Sequence, residues 1–321
     1  MATFRLAHVS DLHLGPLPDV TPRQLFSKRI FGYVNWRRGR GRMHRAEVVA
    51  AMLTDLQAQA PDHVIVSGDL VNIALPHEFV LAGEWLRRVG PPDRVTVVPG
   101  NHDAYVPLAW NEAWAHWADY MAGDDDPATG DPDEDFPFLR RRGEGGAVAI
   151  VGLSSAVASP PTFATGKLGR DQLRRLDALM ADLAAGEAAE ACRVVVVHHP
   201  PVRALTAFRR RLVDDKALGV VLARHGAELV LCGHEHLMKQ GFLLGADGRH
   251  VPVVVAPSAS LATSAGPTGG YLLYDLERDE AGSGAWRIGY ELRSFDAAKG
   301  EFETVSRGRL GRSGGRVGVA P

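Results

Sequence analysis

Five short groups in this chain carry side chains that can do chemistry, and each follows an apolar run. They are Asp11-Leu12-His13, Gly68-Asp69, Gly100-Asn101-His102-Asp103, His198-His199-Pro200 and Gly233-His234-Glu235-His236. Asp, Asn and His offer carboxylate oxygen, amide oxygen and imidazole nitrogen, with no thiolate among them. That donor set suits Mn²⁺, Fe or Zn²⁺ and not an iron–sulfur cluster. Side chains at i and i+2 of an extended segment point the same way, so Asp11 and His13 can reach one ion, and so can His234 and His236. The donors suffice for two ions with one carboxylate left to bridge them. Two close cations stabilise the attacking and leaving oxygens of an in-line displacement at phosphorus, and they acidify a bound water. Each fragment alone is common; five of them in this order, all at strand ends, are not.

The elements that must position these groups follow from the apolar pattern. Strands are predicted at Phe4–Val9, His63–Val66, Arg94–Val98, Ala147–Leu153, Val194–Val197 and Glu228–Leu231. Helices are predicted between them, at Arg45–Gln59, Glu78–Val89, Leu108–Met121, Arg170–Leu183 and Asp214–Arg224. Four more strands follow without helices: Gln240–Leu244, Val251–Val255, Tyr271–Leu276 and Trp286–Arg293. Alternating β and α followed by β alone reads as an α/β fold whose last part is antiparallel. Ligands gather beyond the carboxyl ends of strands in such sheets, so the five groups can converge. The glycines before Asp69, Asn101 and His234 read as the means of turning straight off a strand.

The 321 residues carry 36 Lys plus Arg against 38 Asp plus Glu, a net charge of −2, with 45% apolar residues. Those proportions exclude a disordered or collagen-like chain, and the charge gives no global pull towards nucleic acid. The two cysteines, Cys192 and Cys232, sit beside apolar runs and read as buried thiols. Met1 to Val9 lacks the pattern of a secretory signal, and no stretch approaches the ~18 apolar residues of a membrane span, so a cytoplasmic protein is expected.

In order and in residue type, the five groups resemble the blocks of the calcineurin-like metallophosphoesterases, over roughly Phe4 to Val255. Gly152-Leu153-Ser154-Ser155 is also similar to a strand-end segment of that family. The resemblance implies a four-layer α/β/β/α sandwich of two mixed sheets flanked by helices. It implies that Asp11, His13 and His236 hold one metal, that Asn101, His198 and His234 hold the other, and that Asp69 bridges them. A metal-bound hydroxide would attack phosphorus. His102 would stabilise the phosphoryl oxygens or protonate the leaving group. Asp103 has two readings: it orients His102 by accepting its second N–H, or it caps the next helix. His199 has two as well, facing the substrate or packing under Pro200. His8, His44, His63, His77, His116, His225 and His250 fall outside the blocks and read as surface or core histidines.

Two stretches depart from this order. Residues 21–45 hold eight basic residues and no acid, and residues 119–135 hold eight acids and no base. The acidic stretch reads as an exposed loop. In the basic stretch Phe26, Ile30 and Val34 are spaced by four, which allows one helix with an apolar stripe beside a basic face. Two readings stand: a solvated helix packed on the core, or a cap that draws in an anionic substrate at a membrane surface, with Arg37 and Arg38 contacting it. Residues 301–321 read as a Gly/Arg-rich tail, and residues 1–300 as one domain.

The expectation is a dinuclear metal-dependent phosphoesterase acting on a phosphodiester or pyrophosphate in preference to a monoester. Its expected partners are a phosphate-ester substrate and an anionic membrane surface met through residues 21–45, which would make it peripheral to the membrane. Two alternatives are a DNA repair nuclease of the same superfamily, for which the single local basic stretch is a thin footprint, and a scaffold without metals, which would have no need of seven ligands.

Overall fold

A computed structural model describes residues 3–263, 268–279 and 285–311. Its strands in chain order are β1 (Phe4–Val9), β2 (His63–Val66), β3 (Val95–Val97), β4 (Phe138–Arg142), β5 (Val148–Gly152) and β6 (Cys192–Val196), then β7 (Leu229–Cys232), β8 (Lys239–Leu244), β9 (His250–Val255), β10 (Gly270–Arg278), β11 (Trp286–Asp296) and β12 (Glu301–Leu310). They form two six-stranded sheets, ordered β12-β11-β10-β1-β2-β3 and β4-β5-β6-β7-β9-β8. In the first, β1 runs parallel to β2 (Leu6 opposite His63) and antiparallel to β10 (Leu6 opposite Tyr274). In the second, β5, β6, β7 and β9 are parallel, with Ile150 opposite Val194 and Val230 opposite Val253. Both sheets are mixed, as expected.

Strand periodicity decides which core each side chain enters. Val194 and Val196 of β6 face the first sheet and pack with Leu6, Val66 and Leu272. Their neighbours Val195 and Val197 face the other way and pack against Leu176, Met180 and Leu222 of two outer helices, Arg170–Ala185 and Asp215–His225. Helices Ala46–Gln59 and Pro76–Val89 cover the first sheet through Met52, Leu56, Phe79 and Leu86. A strand buried on both faces cannot alternate apolar with polar, which is why these strands read as continuous Val/Ile/Leu runs. The order helix, sheet, sheet, helix follows.

The structure corrects three expectations. Leu108–Met121 is not one helix: it contains short 3₁₀ turns at Trp110–Glu112 and Trp114–Tyr120, whose Trp114, Trp117 and Tyr120 are buried. The tail does not begin at 301, because Glu301–Leu310 pairs with β11 as the edge strand of the first sheet; residues 312–321 lie outside the described residues. Strand β4 was hidden by its composition, Phe-Leu-Arg-Arg-Arg, whose Arg140 is buried and donates to Val95 O (2.7 Å) and Ala122 O (2.7 Å). The acidic stretch pairs with this strand, through Asp124 to Arg142 (2.8 Å) and Asp125 to Arg141 (3.6 Å).

Candidate metal centre

The turns that carry the five groups have an unusual backbone. Asp11, His13, Asp69, His234 and His236 all have positive φ, between 42° and 75°. This left-handed region costs an L-residue roughly 1–2 kcal/mol each, so it persists only where surrounding contacts hold it. Those contacts are visible. Asp11 N–H donates to Gly68 O (3.0 Å) and His13 N–H to Asp69 O (2.9 Å). His234 N–H donates to Asp11 Oδ2 (2.9 Å), which ties the end of β7 to the end of β1. Of the three glycines expected to turn, only Gly68 has positive φ, at 98°. Gly233 serves close approach instead: a Cβ there would run into Ser10 Oγ and Asp11 Oδ2.

The side chains then meet as acceptors facing acceptors. His13 Nδ1 lies 3.1 Å from Val71 O, and a carbonyl only accepts, so the proton is on Nδ1 and the lone pair is on Nε2. That Nε2 is 3.2 Å from His236 Nε2 and 3.8 Å from Asp69 Oδ2. His236 Nε2 is 3.2 Å from Asp11 Oδ1. Likewise His198 Nδ1 donates to Ser67 O (2.6 Å), which turns its Nε2 towards Asp69 Oδ2 at 3.4 Å and Asn101 Oδ1 at 3.3 Å. Asp11 Oδ1 and His234 Nε2 are buried with no hydrogen-bond partner. Lone pairs converging in a buried space repel unless a cation lies among them. Electrostatics shows the same demand. Burial lowers the His198 pKa, but Asp69 and Asp11 outweigh it and raise it to about 9. Burial raises the Asp69 carboxyl, yet His198 and His102 hold it well below the usual carboxylate range. Asp11, His13, Asp69 and His236 form one cluster that could hold a metal. His198 and His234 stand beside Asn101 and Asp69 on the other side.

Several residues take roles other than those expected. Asp103 does not orient His102. Its carboxylate accepts from Asp69 N (2.8 Å), Gly100 N (2.8 Å), Leu70 N (2.9 Å) and Val71 N (3.1 Å), so it binds two of the turns together. Burial, with Asp69 nearby, pushes Asp103 up to about 7. His102 Nδ1 donates instead to Asn72 O. Its Nε2 therefore carries the lone pair and accepts from Arg40 Nη1 (3.0 Å), so in this tautomer it is no proton donor. Burial and Arg40 lower its pKa to about 3. His199 is fully buried, packed on His198 and His234 with Nδ1 on Ser155 Oγ (2.7 Å); it does not line the cavity, and with those two histidines it forms a second group that could hold a metal.

A cavity of about 560 Å³ opens over these groups, lined by Asp69, Asn101, His102, His234 and His236 below and by Asn35, Arg38, Arg40, His44 and Arg210 at the side. Arg38 lines it; Arg37 is exposed and does not. The basic stretch does not pack its stripe on the core: Phe26 is 89% exposed, Ile30 39% and Val34 37%. The stretch is moored by its other side. Lys28 Nζ donates to Ser159 O (2.8 Å), Arg29 donates to Ile73 O (3.1 Å) and Ala74 O (2.6 Å), and Gly32 sits against Ile73 and Tyr105.

Of two further residues at the site, Arg40 was read only as one charge of the basic stretch and His44 was read as an ordinary histidine. Arg40 Nη2 donates to His13 Nε2 (2.8 Å) as well as to His102. His44 is buried beside His13 and His236. The one available signal was their spacing of four, which places both on one face of a helix.

A family model described as calcineurin-like phosphoesterase matches residues 4–238. The chain is 26% identical over 234 residues to a glycerophosphodiester phosphodiesterase of Enterobacter lignolyticus, covering 72% of this chain and 70% of the relative. It is 26% identical over 248 residues to a probable cyclic nucleotide phosphodiesterase of Synechococcus sp., covering 76% of each. Its fold is similar to a dimetal phosphatase from Danio rerio (TM-score 0.54, 14% identity, 94% of this chain and 98% of that one). It is also similar to a purple acid phosphatase from yellow lupin seeds (TM-score 0.53, 12% identity, 94% of this chain and 53% of that one).

Proposed function

The chain belongs to the calcineurin-like phosphoesterase family, and on that premise we propose that it is a dinuclear metal-dependent phosphoesterase that prefers diesters to monoesters. The observation that carries the dinuclear reading is the set of donor atoms converging on Asp69 from both sides, with Asp11 and His13 on one and Asn101 and His198 on the other. Asp11, His13 and His236 would hold one ion and Asn101, His198 and His234 the other, with Asp69 shared. Bound there, Mn²⁺, Fe or Zn²⁺ ions supply a Lewis acid for the phosphoryl oxygens and lower the pKa of a water to be used as nucleophile. The chain's own residues keep the donors in place: Val71 O and Ser67 O fix the tautomers of His13 and His198. Arg38, Arg40 and Arg210 line the cavity and favour an anion. Glu235 does not oppose them, because Lys239 Nζ (2.6 Å) and Thr206 Oγ1 (2.9 Å) both donate to it.

The diester preference is supported by the two phosphodiesterase relatives, whose substrates differ from each other. The test is hydrolysis of bis(p-nitrophenyl) phosphate against p-nitrophenyl phosphate, with Mn²⁺, Fe²⁺, Co²⁺ and Zn²⁺. Faster monoester cleavage would overturn the preference; no cleavage with any metal would overturn the enzyme.

An anionic membrane surface remains the partner proposed for residues 21–45. Phe26 and Phe31 are exposed, as are Arg23, Arg37, Arg38 and Arg42 of the same stretch, a composition suited to anionic lipid headgroups. Among the described residues no helix is long and apolar enough to cross a membrane. Co-sedimentation with anionic but not zwitterionic liposomes is the expected result; no binding to either ends the idea.

A further inference from the structure

We propose that His44, which lies outside the five blocks, is a further ligand of the ion held by Asp11, His13 and His236. This rests on the metal-centre reading above and deepens it, by adding a third imidazole to one of the two sites.

The argument begins with an orphaned atom. His44 is 4% exposed, and its Nε2 is buried with no hydrogen-bond partner. A buried polar atom left alone is costly, and a cation among the neighbouring donors would satisfy it. The ring stands against both histidines of the first site, with centroids 4.6 Å from His13 and 5.6 Å from His236. One ring nitrogen from each of the three lies within 4.8 Å of the other two. Bonds of about 2.0–2.2 Å put the ligand atoms of one ion at most about 4.4 Å apart, so the three need close by only a few tenths of an ångström. His13 and His236 form another such group with Asp11 and Asp69, which His44 does not join. His44 therefore comes to the shared pair from a different direction, as separate ligands of one ion must.

The hydrogen bonds around the ring allow it to ligate. His44 Nδ1 lies 2.7 Å from Ser260 Oγ, which lies 3.5 Å from Asp11 O. That bond permits either tautomer. In one of them Nδ1–H donates to Ser260 Oγ and Nε2 presents a lone pair, the usual arrangement of a ligating imidazole. An ion at Nε2 selects it. The place already draws positive charge, since Arg40 Nη2 donates to His13 Nε2 at 2.8 Å.

The backbone holds His44 in position although Met43 and Arg45 on either side are exposed. His44 forms a β-bridge with Leu261. Arg45 N–H donates to Ser260 O (3.0 Å) and Ala262 N–H to Met43 O (2.6 Å). The same segment is tied to the end of β1, through Ser258 Oγ to Asp11 O (2.7 Å) and Ala259 N–H to Ser10 O (2.9 Å). His44 is thus fixed relative to Asp11 by backbone that both share, which is what a ligand needs.

The consequence is selectivity. The first site gains a third imidazole, while the second keeps His198 and His234 with an amide and the shared carboxylate. Imidazole suits Fe and Zn²⁺, and oxygen donors suit Mn²⁺. His44 therefore biases the first site towards Zn²⁺ or Fe.

The test uses the full chain and His44→Ala and His44→Phe, the second of which keeps a ring in the space without a donor atom. Chelator competition gives the affinity of the tightest site for Zn²⁺ and for Mn²⁺, and the visible absorption of the Co²⁺ form reports the ligands. Zn²⁺ affinity should fall more than about tenfold in both variants, at least what loss of an outer partner costs, and Mn²⁺ affinity should fall less. The Co²⁺ bands should shift in both. Parent-like Zn²⁺ affinity in His44→Phe overturns the proposal and makes His44 a packing residue. Unchanged Co²⁺ bands in His44→Phe overturn it whatever the affinity does. A parent that binds no metal defeats the metal centre itself, and a parent that binds metal but cleaves no ester defeats only the phosphoesterase reading, since these measurements need no substrate.

Discussion

Two regions deliver side chains to the same cavity by different physical means. The five blocks place their candidate ligands at strand ends, on turns where Asp11, His13, Asp69, His234 and His236 adopt left-handed φ and are held by backbone bonds and the Asp103 carboxylate. The segment from Arg29 to His44 reaches the cavity from the side with φ of −57° at Arg40, a relaxed helical value. Its outer face is exposed, and it is held by Arg29 at one end and by backbone bonds of Met43 and Arg45 at the other. The first region is strained and locked by the core, so its geometry is made before any ligand arrives. The second is unstrained and lightly moored. Rigid turns suit ions that demand fixed distances; a tethered guanidinium suits a substrate that must enter and leave.

That contrast can be broken at its strongest point first. Asp69→Ala should cut both metal content and bis(p-nitrophenyl) phosphate hydrolysis by more than about a hundredfold, since outer partners alone are worth 10–100-fold in such sites; a variant that kept its metal would remove the bridging role. Asp103→Asn replaces a four-N–H acceptor by an amide with one oxygen. Metal affinity should fall about 10–100-fold, measured by chelator competition, and no change would mean that the turns hold themselves. Gly233→Ala forces a methyl into Ser10 and Asp11, and should destabilise by roughly 1–3 kcal/mol in thermal or urea unfolding. The smallest effect is expected from Arg37→Glu with Arg38→Glu on the exposed face. Stability should move by about 0.5 kcal/mol or less, while KM for an anionic diester rises; an unchanged KM together with unchanged liposome binding would detach this face from function.

The two regions also differ in how far they could be read. Asp11, His13, Asp69, Asn101, His198, His234 and His236 were legible because each follows a strand, and a parallel sheet must bring strand ends together. Most of the strands were legible for the same reason, as uninterrupted apolar runs. Strand β4 was not, because Arg140 is buried through carbonyl contacts with the next layer, and no local pattern announces that. Asp103 was legible as important and not as to role, since its four partners come from two separate turns. His44 was set aside as ordinary because its neighbours in space, Ser260, His13 and His236, lie far from it in sequence.

By itself, then, the sequence determined the donor types, their order along the chain and the two-sheet architecture that would gather them. These follow from local periodicity and from the chemistry of Asp, Asn and His. Only the tertiary structure decided which nitrogen of each histidine keeps its proton, which carboxylate braces the turns and which basic residues reach the cavity. Those depend on single acceptors, such as Val71 O, Asn72 O and Ser67 O, brought near by folding. A hydrogen bond is decided over tenths of an ångström between residues that no spacing rule connects.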